Sequence, residues 1–195
     1  MNILGHPYIA SKILNRHNWM IAAGSHIPDI VPFVPNSCFS FEEIHESPNT
    51  FEDFLKNKYP QFIDIAKAMK SHSVKYGADR YNKQITEWLL QGRLDLLNTI
   101  AHKIVECSGV SIETARGPRM HNYLWVGADM YILNKKPYFV EKNARYHSEI
   151  DIEKLSKLLS ECFSKEKKDV KTDLDYFFSK ITPEEKKKKK GYLIL

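Results

Sequence analysis

Five side chains with the chemistry of divalent-metal ligands stand at informative places: His6, Asp29, His45, His102 and Glu106. His102 and Glu106 lie four apart within residues 94–107, an apolar run of helical character. On a helix they project from one face, one turn above the other. An imidazole beside a carboxylate suits zinc or another borderline divalent cation. Ionisable groups inside an apolar run need partners, because burying them unpaired is costly, and a cation would be one such partner.

The other donors come from helix starts and stiff loops. His6 opens a segment in which Ile9, Ala10, Ile13 and Leu14 recur at helical spacing, which places it on the buried side. Asp29 follows Pro28, and the proline fixes its own φ and holds Ile27 extended, so the carboxylate is delivered rigidly. The competing role for Asp29 is to cap the helix that follows or to hydrogen-bond His26, itself read as structural. His45 sits between Glu43 and Glu46, just before Pro48. Four further candidates are His72 with Asp79, seven apart and so on one helical face, and His121 with Asp129, two turns apart. Lys70, Ser71, Ser73 and Lys75 around His72 predict a solvated face there. His17 and His147 read as surface residues.

Helical periodicity predicts elements over residues 7–16, 19–24, 50–69 with a break at Pro60, 81–90, 94–107, 123–133, 151–163 and 173–181. Residues 31–40, with Pro32 and Pro35, read as loop. No hairpin signal or sustained alternation is present, so the fold class is all-α: a multi-helix bundle in one domain, residues 1–185, followed by a basic tail, residues 186–195.

The chain has 195 residues, of which 43% are hydrophobic and 12% aromatic, enough for one full-sized core. Its net charge of +5 is matched by five consecutive lysines, Lys186, Lys187, Lys188, Lys189 and Lys190. The remainder is near neutral, which argues against a nucleic-acid-binding face spread over the fold. That lysine run could meet an anionic membrane surface. Cys38, Cys107 and Cys162 have no paired spacing and read as ordinary thiols of a reducing compartment, so a cytoplasmic location is expected.

A helix-opening His6, a Gly-x-x-x-Pro-Asp-Ile loop from Gly24 to Ile30, a lone His45 after a Pro-rich stretch and an Ala101-His102-x-x-x-Glu106 helix occur in that order. In this combination the first two-thirds of the chain resembles the zinc-dependent phospholipase C family, similar in fold to the zinc-dependent single-strand nucleases. The resemblance implies an all-helical bundle of the phospholipase C type holding one to three zinc ions through His and Asp/Glu side chains. His6 and Asp29 resemble the pair that shares one metal with the N-terminus. His45 resembles the loop histidine of a second metal, and His102 with Glu106 the helix pair. Asp29 and Glu106 double as the catalytic carboxylates in this expectation.

Two departures favour one or two metals over three. Ile112 stands where the family has a further histidine, and His121 is followed four residues on by Trp125 rather than an acid. His72 with Asp79 is a candidate partial replacement. The implied activity is hydrolysis of a phosphodiester, phospholipid or nucleotide-like, by metal-activated water. One alternative is a non-catalytic helical interaction protein on the same scaffold. The other, an HD-type phosphohydrolase, is disfavoured because the chain contains no His-Asp dipeptide.

Overall fold

The computed structural model describes residues 3–73, 75–80, 84, 87, 91, 94–116 and 120–181. Every regular element among the described residues is helical, as expected for an all-α protein. Among these residues the eleven α-helices are α1 Gly5–Leu14, α2 Trp19–Gly24, α3 Ile30–Phe33, α4 Pro48–Lys58, α5 Ile63–His72, α6 Leu94–Ser108, α7 Ile112–Arg116, α8 Met120–Lys135, α9 Pro137–Ser148, α10 Ile152–Phe163 and α11 Lys167–Ile181. Most of the expected helix over residues 81–90, and the lysine-rich tail, lie outside the described residues.

Helix α5 is the hub, packed against α1, α2 and α4. Its apolar stripe, Ile65, Ala66 and Met69, joins Phe51 and Leu55 of α4, Leu155, Leu158 and Leu159 of α10, and Leu174 and Phe177 of α11 in one fully buried core. Burial of this kind stabilises by about 1.5–3 kcal/mol for each large apolar side chain. Ala10, Ile21 and Ala68 make a smaller contact layer where α1, α2 and α5 meet.

Local signals set the helix limits. Asn15 ends α1 in the left-handed conformation, φ 50°, which asparagine tolerates better than most residues. Asn18 caps α2, its side chain accepting from Ile21 N at 3.0 Å, while its amide donates to Asp64 Oδ2 of α5 at 3.1 Å. Helix α4 begins at Pro48, with proline in the first turn, rather than at Thr50. Pro60 breaks the run as expected, and a short 3-10 turn, Pro60–Phe62, leads into α5.

Helix α9 carries no clear apolar periodicity in the sequence. Its inward residues include Asn143 and His147, both buried, so polar groups occupy places where a periodicity reading looks for apolar ones.

Candidate metal centre

Helix α5 ends at His72, which is only 2% exposed. Its Nδ1 lies 2.9 Å from the carbonyl oxygen of Ser25. A carbonyl oxygen can only accept, so Nδ1 carries hydrogen and Nε2 faces the site. That bond requires α2 to meet α5 closely. A Cβ at Gly24 would stand 2.3 Å from the Ile65 carbonyl oxygen, so glycine is what permits the approach.

The chain then reverses. Gly77 N donates to Ser73 O and Ala78 N to Ser71 O, each at 2.8 Å. The turn is so tight that a Cβ at Gly77 would lie 2.0 Å from Ser71 O. It lays Asp79 back over the end of α5, with Oδ2 3.3 Å from His72 Nε2 and 3.1 Å from His45 Nε2. His72 and Asp79 therefore meet across a turn, not along one helical face, and His72 is buried rather than solvated.

His45 comes from a π-helical turn, Glu42–Glu46. Ser40 and Glu43 brace the entry reciprocally: Ser40 N donates to Glu43 Oε2 at 2.7 Å, and Glu43 N donates to Ser40 Oγ at 3.2 Å. Phe41 stacks on the His45 ring, centroids 4.2 Å apart. Glu46 Oε1 lies 3.2 Å from His45 Nδ1. Bonding there leaves Nε2 for the site.

Asp29 ends the 3-10 turn Ile27–Asp29 and precedes α3 without capping it, since its side chain makes no cap hydrogen bond. It does not bond His26 either, whose buried ring nitrogens have no partner of hydrogen-bonding geometry. Instead Oδ1 lies 3.7 Å from His72 Nε2, and Oδ2 lies 4.0 Å from His6 Nε2. His6, in the first turn of α1, stacks on His72 with ring centroids 3.9 Å apart.

Five groups from four parts of the chain thus converge as two overlapping sets that could hold metal ions: His6, Asp29 and His72, and His45, His72 and Asp79. Donors about 2 Å from one tetrahedral zinc stand roughly 3–4 Å apart, which matches these separations. All are buried except Asp79, which is partly so.

The electrostatics are those of a site in need of positive charge. Burial lowers the His6 pKa well below its ordinary value, and neighbouring His72 adds to this. His72 shows the opposite balance: burial works against its charge, yet Asp29 and Asp79 carry its pKa up to about 9. Burial also works against the Asp79 carboxylate, but hydrogen bonds from His45 and His72 hold its pKa well below the carboxylate range. Burial pushes Asp29 upward. His6 Nδ1 and Asp29 Oδ2 are buried without hydrogen-bond partners, a state that costs about 1–3 kcal/mol per group. A cation would satisfy the Asp29 oxygen, so the residues present fit a metal.

The structure does not bring His102 and Glu106 to these sets. Helix α6 buries Leu97 and Ala101, while Asp95, Thr99, His102 and Glu106 form its exposed stripe. Glu106 pairs with Lys103 at 2.7 Å, and that bond lowers its pKa.

Asp129 has a structural task. Its carboxylate accepts from Ile3 N, Leu4 N and Gly5 N at 2.9, 3.0 and 2.8 Å, capping the start of α1 from a distant helix. The side chain of His121 lies outside the described residues. His147 is buried rather than a surface group, and His17 is half-buried with Nε2 3.1 Å from Asn143 Oδ1.

Cys38 and Cys162 are free, with burial pushing their thiols up to about 12 and 11. They are thus poor nucleophiles. No helix among the described residues is long and apolar enough to cross a membrane. No protein-family model, curated protein or solved structure matches the chain.

Proposed function

We propose that the chain is a metal-dependent hydrolase of phosphodiesters, working at a centre formed by His6, Asp29, His45, His72 and Asp79. The observation that carries this reading is the buried Asp29 oxygen with no hydrogen-bond partner, set beside two imidazoles. A structural zinc site is closed by four protein ligands, whereas each set here supplies three. The open positions are what a hydrolytic centre needs.

His72 Nδ1 is committed to Ser25, so Nε2 can serve one cation at a time. One set then keeps three donors, and the other relies on His45 and Asp79. This count fits one or two ions, of which zinc suits the imidazole-rich donor set best. Bound metal would supply Lewis acidity toward a phosphoryl oxygen and lower the pKa of water.

The remaining roles belong to the protein. His72 and His45 are oriented by bonds through their Nδ1 atoms, and Asp79 links the two rings. Phe41, 45% exposed over His45, offers an apolar wall to the organic part of a diester. Phospholipid and nucleotide-like diesters both suit this chemistry, and a contact between the lysine run and an anionic membrane would favour the lipid.

The test is hydrolysis of bis(p-nitrophenyl) phosphate by chelator-treated protein resupplied with zinc or manganese. Turnover restored by metal and lost in His72→Ala is the expected result. Absence of metal-dependent turnover on this and on phospholipid and dinucleotide diesters would refute the activity.

A further inference from the structure

The buried atoms left without a hydrogen bond around the centre divide by chemistry. Asp29 Oδ2 is an acceptor and can be satisfied by a cation. The indole Nε1 of Trp125 is also buried and without a hydrogen-bond partner, but an indole N–H only donates and binds no metal. Trp125 lies on α8 against His6, ring centroids 5.2 Å apart and tilted by 44°. One helical turn further on, Asp129 fixes the start of α1, the helix that carries His6. The indole is therefore held at a set distance from the His6–Asp29–His72 set, with a donor that only an oxygen or another acceptor could satisfy. A cation alone leaves this N–H orphaned, whereas an oxyanion beside the cation satisfies both.

We propose that Trp125 is a substrate-binding residue whose indole N–H donates to an oxygen of the phosphoryl group held at the His6–Asp29–His72 set. This rests on the hydrolase reading above and adds a residue to it that carries no charge and ligates no metal. A neutral donor there favours an oxyanion over water without the desolvation cost of a buried arginine or lysine. It also acts where negative charge gathers in phosphoryl transfer.

The experiment uses the full chain, intact and as Trp125→Phe, which keeps an aromatic ring and removes the N–H. Metal uptake is measured first by zinc titration, then inorganic phosphate binding to the zinc-loaded protein by calorimetry. Both proteins should take up the same zinc, and the variant should bind phosphate about tenfold more weakly, the size expected for one lost hydrogen bond to a charged acceptor.

In the intact protein, one of the three indole N–H resonances should move downfield on adding phosphate and be the resonance absent from the variant. This reading holds even if the variant folds poorly, because the resonance can then be assigned by backbone connectivity. Equal phosphate affinity in the two proteins, or an unmoved Trp125 resonance, overturns the proposal while leaving the metal centre standing. Loss of zinc uptake in the folded variant also overturns it, since Trp125 would then act by packing on His6. Failure of the intact protein to bind zinc removes the hydrolase reading, and this inference with it.

Discussion

His72 is held charged by two carboxylates, and a metal at Nε2 would take the place of its proton. With a pKa of about 9, His72 is protonated at pH 7, so zinc binding should release about one proton from it and tighten as pH rises toward 9. Calorimetry in buffers of differing ionisation enthalpy measures that release, and a pH-independent affinity would contradict the assignment. His102→Ala and Glu106→Ala should leave zinc binding unchanged and shift stability by no more than about 0.5 kcal/mol, as for other exposed positions.

The two pairs illustrate what a sequence conveys at this scale. Four-residue spacing puts His102 and Glu106 on one face, but Asp95 and Thr99 share that face and mark it as polar. His72 and Asp79 sat among lysines and serines and read as solvated. The signal that brings them together is Gly77, whose missing Cβ lets the chain fold back onto Ser71.

At the level of elements, the centre depends on a few close approaches. Gly24→Ala would drive a Cβ into the Ile65 carbonyl, and Gly77→Ala one into the Ser71 carbonyl. Forced overpacking costs about 1–3 kcal/mol or more. The Gly77 variant should lose metal affinity out of proportion to stability, because its damage falls on the delivery of Asp79. Urea unfolding combined with zinc titration separates the two, and an unchanged affinity would contradict the turn's role. Asp129→Ala removes three hydrogen bonds from the start of α1 and should cost about 1–2 kcal/mol, the range for a lost helix cap.

The helices themselves were largely legible, since α1, α2, α6 and α10 follow apolar stripes at helical spacing. Helix α9 was not, because it turns Asn143 and His147 inward, and hydrophobic periodicity is blind to buried polar groups. Pro28 signals rigid delivery of Asp29 and the motif resemblance pairs it with His6, yet nothing local to it indicates that it also faces His72.

For the whole molecule, the buried and half-buried histidines set a stability profile with two limbs. Burial lowers the pKa of His17 and His147 to about 4. The unfolded chain then binds protons below pH 6.5 that the folded chain refuses, so stability falls as pH drops from about 6.5 toward 4. His72 has the opposite sign. Its raised pKa stabilises the metal-free fold below pH 6.5, and that contribution is lost as pH climbs through 9. Metal-free protein should therefore be most stable between these limits, and His147→Leu should flatten the acid limb. Urea midpoints from pH 4 to 10 check both, and an unaltered acid limb in the variant would contradict the account.

The measurement closest to the central claim is equilibrium zinc binding by the chelator-treated protein, by His72→Ala and by His102→Ala, each confirmed as folded by circular dichroism. A centre built on His6, Asp29, His45, His72 and Asp79 predicts one or two zinc ions bound by the parent and by His102→Ala, with binding abolished or cut to weak residual uptake in His72→Ala. Equal binding by the parent and His72→Ala, or loss of binding only in His102→Ala, would contradict it.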